Sequence, residues 1–124
     1  MRSRNFLESL RCAFAGLRYA LHTQRNTRVH LTIAAVVIVV GLWLELPCTH
    51  WAVLALTVGL VLVGEMLNTV AETLVDLVSP GYHPLAKVIK DVTAGAVLLA
   101  AIVSVIVGLL VLGPPLWMRL FGIP

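Results

Sequence analysis

A long uncharged stretch constrains the fold of this chain more than any other feature. From Val92 to Met118 the 124-residue sequence carries no formal charge. About 20 consecutive apolar residues are enough for an α-helix to cross the hydrocarbon core of a bilayer. Two further apolar segments, at about 29–46 and 51–78, precede this stretch. The pattern predicts an all-α integral membrane protein with three transmembrane helices, the third at about 91–113.

Composition agrees with a membrane protein that forms one domain over residues 1–124. Charged residues make up 12% of the chain and hydrophobic residues 60%, whereas soluble domains carry about twice that charged fraction. We expect Pro47 to end the first span, because proline lacks a backbone N–H. Pro114 and Pro115 are predicted to close the third span near Gly113.

Basic residues are concentrated ahead of the first span, and this predicts the orientation of the chain. Six of the nine lysines and arginines lie there: Arg2, Arg4, Arg11, Arg18, Arg25 and Arg28. Under the positive-inside rule the N-terminus faces the cytoplasm, and after three spans the C-terminus faces outside. The aromatic interleaving that base stacking requires is absent, so we expect no nucleic-acid partner.

The segment at about 5–23 is predicted to be an amphipathic helix on the membrane surface. Its apolar residues recur at helical spacing: Phe6, Leu10, Phe14, Leu17 and Leu21. Such a helix lies in the plane of the interface with its apolar face toward the acyl chains. Packing against other protein segments is the alternative, and the two are compatible.

A polar stripe runs along the second predicted span. It consists of residues at i, i+3, i+7 and i+11, namely Glu65, Asn68, Glu72 and Asp76. At 100° per residue, a helix brings all four within a stripe of roughly 80°. Ionisable residues in a bilayer cost about 2.5–3.5 kcal/mol each, so we expect the chemistry on this face. The stripe suits an ion or proton pathway, a metal site or a reacting substrate, with a structural seam between subunits as the alternative.

The charges around this stripe point to a metal ion and a phosphate ligand. Three acids without a basic partner in the bilayer repel one another, and a divalent cation relieves that repulsion. Oxygen ligands favour Mg²⁺, which takes carboxylates, waters and substrate phosphates. Lys90 and Asp91 are predicted to open the third helix, where the lysine can bind phosphate and the aspartate caps the helix. Such a pair alone is usually only a cap, but beside the stripe it suggests a nucleotide polyphosphate.

The stripe and the loop after it resemble a known family. The segment GEMLNTVAETLVDLVSPGYHPLAKVIKDVTAGAVLLAAI is similar to the signature of the small bacterial membrane diacylglycerol kinases and undecaprenol kinases. The likeness extends from GLRYAL at 16–21 through the third span. It implies a homotrimer of three-span subunits in the bacterial cytoplasmic (inner) membrane, each with an N-terminal surface helix. It also implies active sites shared between subunits, ATP as phosphoryl donor, Mg²⁺ as cofactor and a lipid alcohol as substrate.

The resemblance implies a role for individual residues. Glu65 matches the general base that takes the proton from the lipid hydroxyl, and Asn68 and Asp76 match supporting residues of the catalytic face. Glu72 matches the ligand that bridges Mg²⁺ to the ATP phosphates. The remaining positions expected at the nucleotide are Gln24, Tyr82, His83, Lys90 and Asp91.

The chain departs from the family pattern at Gln24. In HTQRN the family commonly has a second metal-binding glutamate where this sequence has a glutamine. The amide oxygen can still act as a ligand, but the site loses one negative charge. The affinity for Mg²⁺ and the number of ions held are therefore open at this point.

The function that the sequence favours is an ATP- and Mg²⁺-dependent lipid kinase. Undecaprenol is slightly favoured over diacylglycerol as the acceptor, because the pattern HPLAK-x-x-KD-x-x-AGAVL, with LNT and LVDLV, is closer to undecaprenol kinases. A small proton-coupled multidrug exporter subunit is the alternative, although such exporters usually have four spans and a single acid. A non-catalytic membrane subunit is a third possibility.

Overall fold

A computed structural model describes residues 5–123. The regular secondary structure in that part of the chain is all α-helix. The helices are α1 (Phe6–Thr23), α2 (Arg25–Trp43), α3 (Cys48–Val78) and α4 (Pro84–Phe121). The last three are each long and apolar enough to cross a membrane. The predicted all-α class with three candidate spans is thereby confirmed.

The junction between α1 and α2 is a single residue. Gln24 is at once the C-cap of α1 and the N-cap of α2. The Arg28 guanidinium donates hydrogen bonds to the carbonyls of Leu21, at 3.2 Å, and His22, at 3.0 Å. These carbonyls belong to the last turn of α1, whose acceptors have no partner within the helix. Arg28 thus fastens the end of α1 to the first turn of α2, while the position of α1 at the membrane surface stays a prediction.

The turn between α2 and α3 corrects the role predicted for Pro47. Helix α2 ends at Trp43, ahead of the proline. The chain reverses through Glu45, whose φ of 55° lies in the left-handed region, and the N–H of Leu46 donates to the carbonyl of Gly41 at 3.3 Å. This is the Schellman arrangement, which ends a helix through backbone hydrogen bonds. Pro47 instead serves as the N-cap of the next helix.

The start of α4 also differs from the prediction. The helix begins at Pro84, and His83 is its N-cap, with the ring Nδ1 accepting a hydrogen bond from the N–H of Leu85 at 3.1 Å. Proline suits the first helical position because its missing N–H would have no partner there. The prediction that Lys90 and Asp91 open the helix was therefore wrong, since both lie in its second turn.

The end of α4 lies well beyond the predicted end of the third span. The helix continues through Pro114 and Pro115 to Phe121, so the prolines do not end it, while the end of the membrane span near Gly113 stays a prediction. Each proline removes one helical hydrogen bond, to the carbonyl four residues before it. The residues on both sides are apolar, and backbone in apolar surroundings must satisfy its hydrogen bonds internally, which favours resuming the helix. With 38 residues, α4 is about 57 Å long.

Packing separates an apolar end of the molecule from a polar one. Helices α3 and α4 form an antiparallel pair with the most extensive contact, α2 packs on α3, and α1 touches α2 and α3. The apolar core, built around Leu46, Leu54 and Val111, lies near the turn between α2 and α3. The buried polar side chains lie further along α3 and at the start of α2: Thr27, Glu65, Asn68 and Thr69. The candidate site is at this polar end.

Candidate active site

Glu65 is the most deeply buried side chain in residues 5–123, with 1% of its surface exposed. It projects from α3 toward α2, where Nε2 of His30 lies 3.1 Å from its Oε1. The two atoms are at ion-pair distance but are not aligned as a hydrogen bond, so Oε1 has no hydrogen-bond partner in the described chain. An isolated buried carboxylate is costly, and packing alone does not account for one here.

Asn68 lies one turn further along the same face and is 8% exposed. Its Nδ2 donates a hydrogen bond to Oε1 of Glu72 at 3.1 Å. Its Oδ1 is buried and, like the Glu65 oxygen, has no hydrogen-bond partner among the described residues. Buried acceptors without a donor are rare in folded proteins. Two of them one turn apart can accept hydrogen bonds from a group that lies outside the described chain.

Glu72 is half-buried and suits a metal ligand. Within residues 5–123, no lysine or arginine forms an ion pair with it. Over the same residues no group of three or more histidine, cysteine or acidic side chains is gathered as a metal site. Mg²⁺ does not require one, because it is commonly held by one or two carboxylates together with waters and substrate phosphates. Glu72 fits that mode of binding.

Gln24, the second predicted metal ligand, does not belong to the helix that carries the stripe. It is half-buried at the junction of α1 and α2, and its side chain makes no capping hydrogen bond to α2. The amide is therefore not committed to capping that helix. The structure describes no direct hydrogen bond that joins Gln24 to Glu72 in residues 5–123.

The exposed end of the stripe is joined to α4 by an ion pair. Nζ of Lys90 lies 2.6 Å from Oδ1 of Asp76, with the side chains 43% and 67% exposed. Lys87 and Asp91 form a second pair one turn apart on α4. Exposed ion pairs contribute about 0–1 kcal/mol, so a phosphate group can compete for either lysine.

The loop residues complete the set predicted from the sequence. Tyr82 is 84% exposed between α3 and α4. His83 uses its Nδ1 to cap α4. The described chain therefore brings together Glu65, Asn68 and Glu72 along α3, and it joins Asp76 to Lys90.

His30 and Thr27 belong to this polar end and were missed by the sequence analysis. Histidines near a span are commonly interfacial, so the position of His30 in the sequence does not indicate a contact with the stripe. Thr27 is 6% exposed, and its Oγ1 has no partner in the described chain. A signal was present, because Thr27 and His30 have the same i, i+3 spacing as Glu65 and Asn68. Polar pairs of equal spacing on two consecutive antiparallel helices favour a polar contact between those helices.

Comparison with known proteins places this arrangement in a family. The family described as prokaryotic diacylglycerol kinase matches residues 11–112. The chain belongs to that family. Its members are lipid kinases, which are phosphotransferases, and the predicted resemblance is confirmed.

Three relatives show the range of names within the family. A diacylglycerol kinase of Synechocystis sp. is 53% identical over 90% of this chain and 65% of the relative, so the chain spans just under two thirds of that protein. An undecaprenol kinase of Bacillus subtilis is 39% identical over 90% of each chain. A diacylglycerol kinase of Escherichia coli is 33% identical over 76% of this chain and 77% of the relative.

Proposed function

We propose that this protein transfers the γ-phosphate of ATP to the hydroxyl of a membrane lipid alcohol in a Mg²⁺-dependent reaction. The observation that carries the proposal is the stripe on α3, which connects the buried carboxylate of Glu65 to the exposed carboxylate of Asp76. Eleven residues of helix separate them by about 16 Å along the axis. A lipid hydroxyl at headgroup depth and a nucleotide from the cytosol can therefore approach the same helix face from opposite ends.

In the proposed reaction, Glu65 is the general base. Its buried carboxylate accepts the proton of the lipid hydroxyl while the hydroxyl oxygen forms a bond to the γ-phosphorus and the bond to the ADP oxygen breaks. Asn68 supports this step in two ways, because its Nδ2 orients Glu72 and its free Oδ1 can accept a hydrogen bond from the substrate. Phosphoryl transfer depends mainly on such positioning and on charge stabilisation.

The nucleotide and metal positions follow the exposed half of the stripe. Glu72 would hold Mg²⁺, with Gln24 as a neutral second ligand, and the bound ion would neutralise charge on the phosphates. Lys90 would bind a phosphate, and its ion pair with Asp76 would hold the ammonium group in position. The remaining proposed nucleotide-binding residues are Tyr82, His83 and Asp91.

The lipid acceptor is proposed to be undecaprenol or diacylglycerol. The sequence pattern of the loop and α4 favours undecaprenol. The relatives carry both names, with the diacylglycerol kinase of Synechocystis sp. at 53% identity and the undecaprenol kinase of Bacillus subtilis at 39%. The two lipids therefore need to be compared directly. The exporter alternative is dropped, because the chain belongs to a family of lipid kinases.

We also propose that residues 1–124 form one domain that works as a homotrimer in the bacterial cytoplasmic membrane, with the N-terminus cytoplasmic and the C-terminus outside. In the single chain, large apolar side chains of every span are exposed. Surfaces of this kind need lipid or neighbouring subunits around them. Active sites shared between subunits would use part of this surface.

A side-by-side lipid assay tests the proposed function. Purified protein in detergent micelles is given ATP and Mg²⁺ with either undecaprenol or dioleoylglycerol, and phosphate transfer to each lipid is measured. We expect transfer that requires Mg²⁺ and is faster with undecaprenol. Transfer to neither lipid would overturn the kinase proposal, and faster transfer to dioleoylglycerol would reverse the substrate preference alone.

A further inference from the structure

The buried carboxylate of Glu65 has one neighbour that can carry a positive charge. Among the described residues, His30 is the only basic side chain within ion-pair distance of it. Removing an ionised carboxylate from water costs several kcal/mol unless a charge or hydrogen bonds compensate for it. A general base must nevertheless be ionised to accept a proton. No hydrogen bond reaches Oε1 of Glu65 within residues 5–123, so the compensation available to it there is a charge on His30.

The other groups that face His30 carry no charge. A groove beside it, between α2, α3 and α4, is lined by apolar side chains together with Thr57 and Ser104. Both hydroxyls donate to backbone carbonyls of their own helices, at 2.7 Å in each case. On α2, the guanidinium of Arg28 is directed to the end of α1. Glu65 is thus the one acidic side chain within ion-pair distance of His30 in residues 5–123.

Burial differs between the two partners. The Glu65 side chain is 2% exposed, whereas the His30 side chain is 20% exposed. The imidazole is therefore less enclosed by protein than the carboxylate that it faces.

We propose that His30 is a positioning residue for Glu65, and that its imidazolium holds the carboxylate ionised and oriented for the substrate hydroxyl. This inference rests on the proposed role of Glu65 as the general base. During transfer the hydroxyl proton moves to Glu65, the hydroxyl oxygen bonds to the γ-phosphorus, and ADP leaves. His30 keeps its proton throughout, and Glu65 releases the transferred proton to water after the lipid product departs.

Infrared spectroscopy tests the charge state without requiring activity. His30→Phe keeps a ring of similar size but removes the charge and both ring nitrogens. We expect a protonated-carboxyl band at neutral pH in this variant that wild type lacks, and we expect the band to disappear in the double variant with Glu65→Gln. A purely structural role for His30 would not produce the band. The control is His50→Phe on α3, near the turn from α2, which should leave the spectrum unchanged.

Kinetics test the same inference through turnover. His30→Phe should lower kcat about 100-fold, at the lower end of what a general base contributes, with the KM for ATP unchanged. His30→Gln retains an N–H at similar reach. Its kcat should therefore be about tenfold higher than that of His30→Phe. Since both residues act through one carboxylate, adding His30→Phe to Glu65→Gln should cause no further loss.

Several outcomes would overturn the inference. The first is a kcat of His30→Phe equal to that of wild type. The second is a double variant in which the kcat losses of the two substitutions multiply. The third is the absence of a protonated-carboxyl band in the infrared spectrum of His30→Phe. If His30→Phe does not fold, His30→Gln removes the same charge and carries the infrared test. If wild-type protein phosphorylates neither lipid, the proposed function fails, and the infrared comparison still decides whether His30 holds Glu65 ionised.

Discussion

At the scale of single residues, the stripe on α3 contains two chemically different carboxylates. Glu65 is enclosed by protein and faces His30. Asp76 is largely exposed and paired with Lys90. Electrostatic interactions are stronger where water is excluded, so a change at the buried end should affect the reaction far more than a change at the exposed end.

Glu65→Gln should lower turnover by about 10²–10⁴-fold, because the amide cannot accept the proton of the lipid hydroxyl. The amide has nearly the same shape, so the thermal stability and the oligomer in detergent should be retained. Phosphate transfer in micelles measures the effect, with Glu45→Gln in the turn between α2 and α3 as the matched control. Turnover close to wild type would assign the base to another residue.

Gln24→Glu should lower the Mg²⁺ concentration needed for half-maximal activity. The substitution adds a negative charge at the junction of α1 and α2, where the metal ligand is expected, and oxygen anions strengthen Mg²⁺ binding. Asn26→Asp is the matched control, since it makes the same change at an exposed position two residues away. An unchanged Mg²⁺ requirement would place Gln24 outside the metal shell.

The sequence predicts the members of the stripe, because one helical period relates them. It does not predict that Glu65 is the deepest of them or that His30 lies against it. Both facts depend on how α2 packs on α3, and the apolar pattern of two spans leaves that rotation and register undetermined. The sequence therefore identifies the acidic residues of the candidate site better than their partners.

At the scale of elements, the number and order of helices follow from the apolar segments, whereas helix ends depend on local hydrogen bonds. Proline illustrates the difficulty. Pro84 begins α4, Pro47 caps α3, and Pro114 and Pro115 lie within α4. The first two positions lose no helical hydrogen bond, whereas the pair within α4 removes two, so the residue type alone does not determine where a helix ends.

Gly41→Ala should destabilise the turn between α2 and α3. A Cβ at this position would lie 2.7 Å from the Trp51 ring and 3.2 Å from the Leu46 side chain. Overpacking of this kind costs about 1–3 kcal/mol, which should appear as a lower Tm in detergent. Gly59→Ala is the control, because a Cβ there meets nothing within 4 Å. Equal Tm values for the two variants would contradict the close packing of Trp51 on α2.

At the scale of the whole molecule, two native cysteines allow the orientation to be measured. Cys12 lies in α1 and Cys48 begins α3, so α2 separates them, and both are free and exposed. In single-cysteine variants, a membrane-impermeant maleimide should label Cys48 in intact spheroplasts. It should label Cys12 only after permeabilisation. The reverse pattern would place the N-terminus outside and contradict the orientation predicted from the arginines.

The structure of a single chain says least about the oligomeric state. In the most hydropathic segment of α4, 11% of the residues are buried. Lipid and a neighbouring subunit satisfy such a surface equally well, because apolar side chains gain little from leaving acyl chains for protein. The sequence predicts the spans from their hydropathy, whereas the trimer rests on the family resemblance.

The proline pair in α4 has a consequence for how that helix sits in the bilayer. Pro114 and Pro115 leave the carbonyls of Leu110 and Val111 without their usual helical donors. Near the headgroups, water can serve both carbonyls, but in hydrocarbon each would cost several kcal/mol. Sliding α4 inward by a turn would therefore be opposed by the backbone itself. We therefore expect the proline pair to favour a position of α4 in which Pro114 and Pro115 lie near the headgroups.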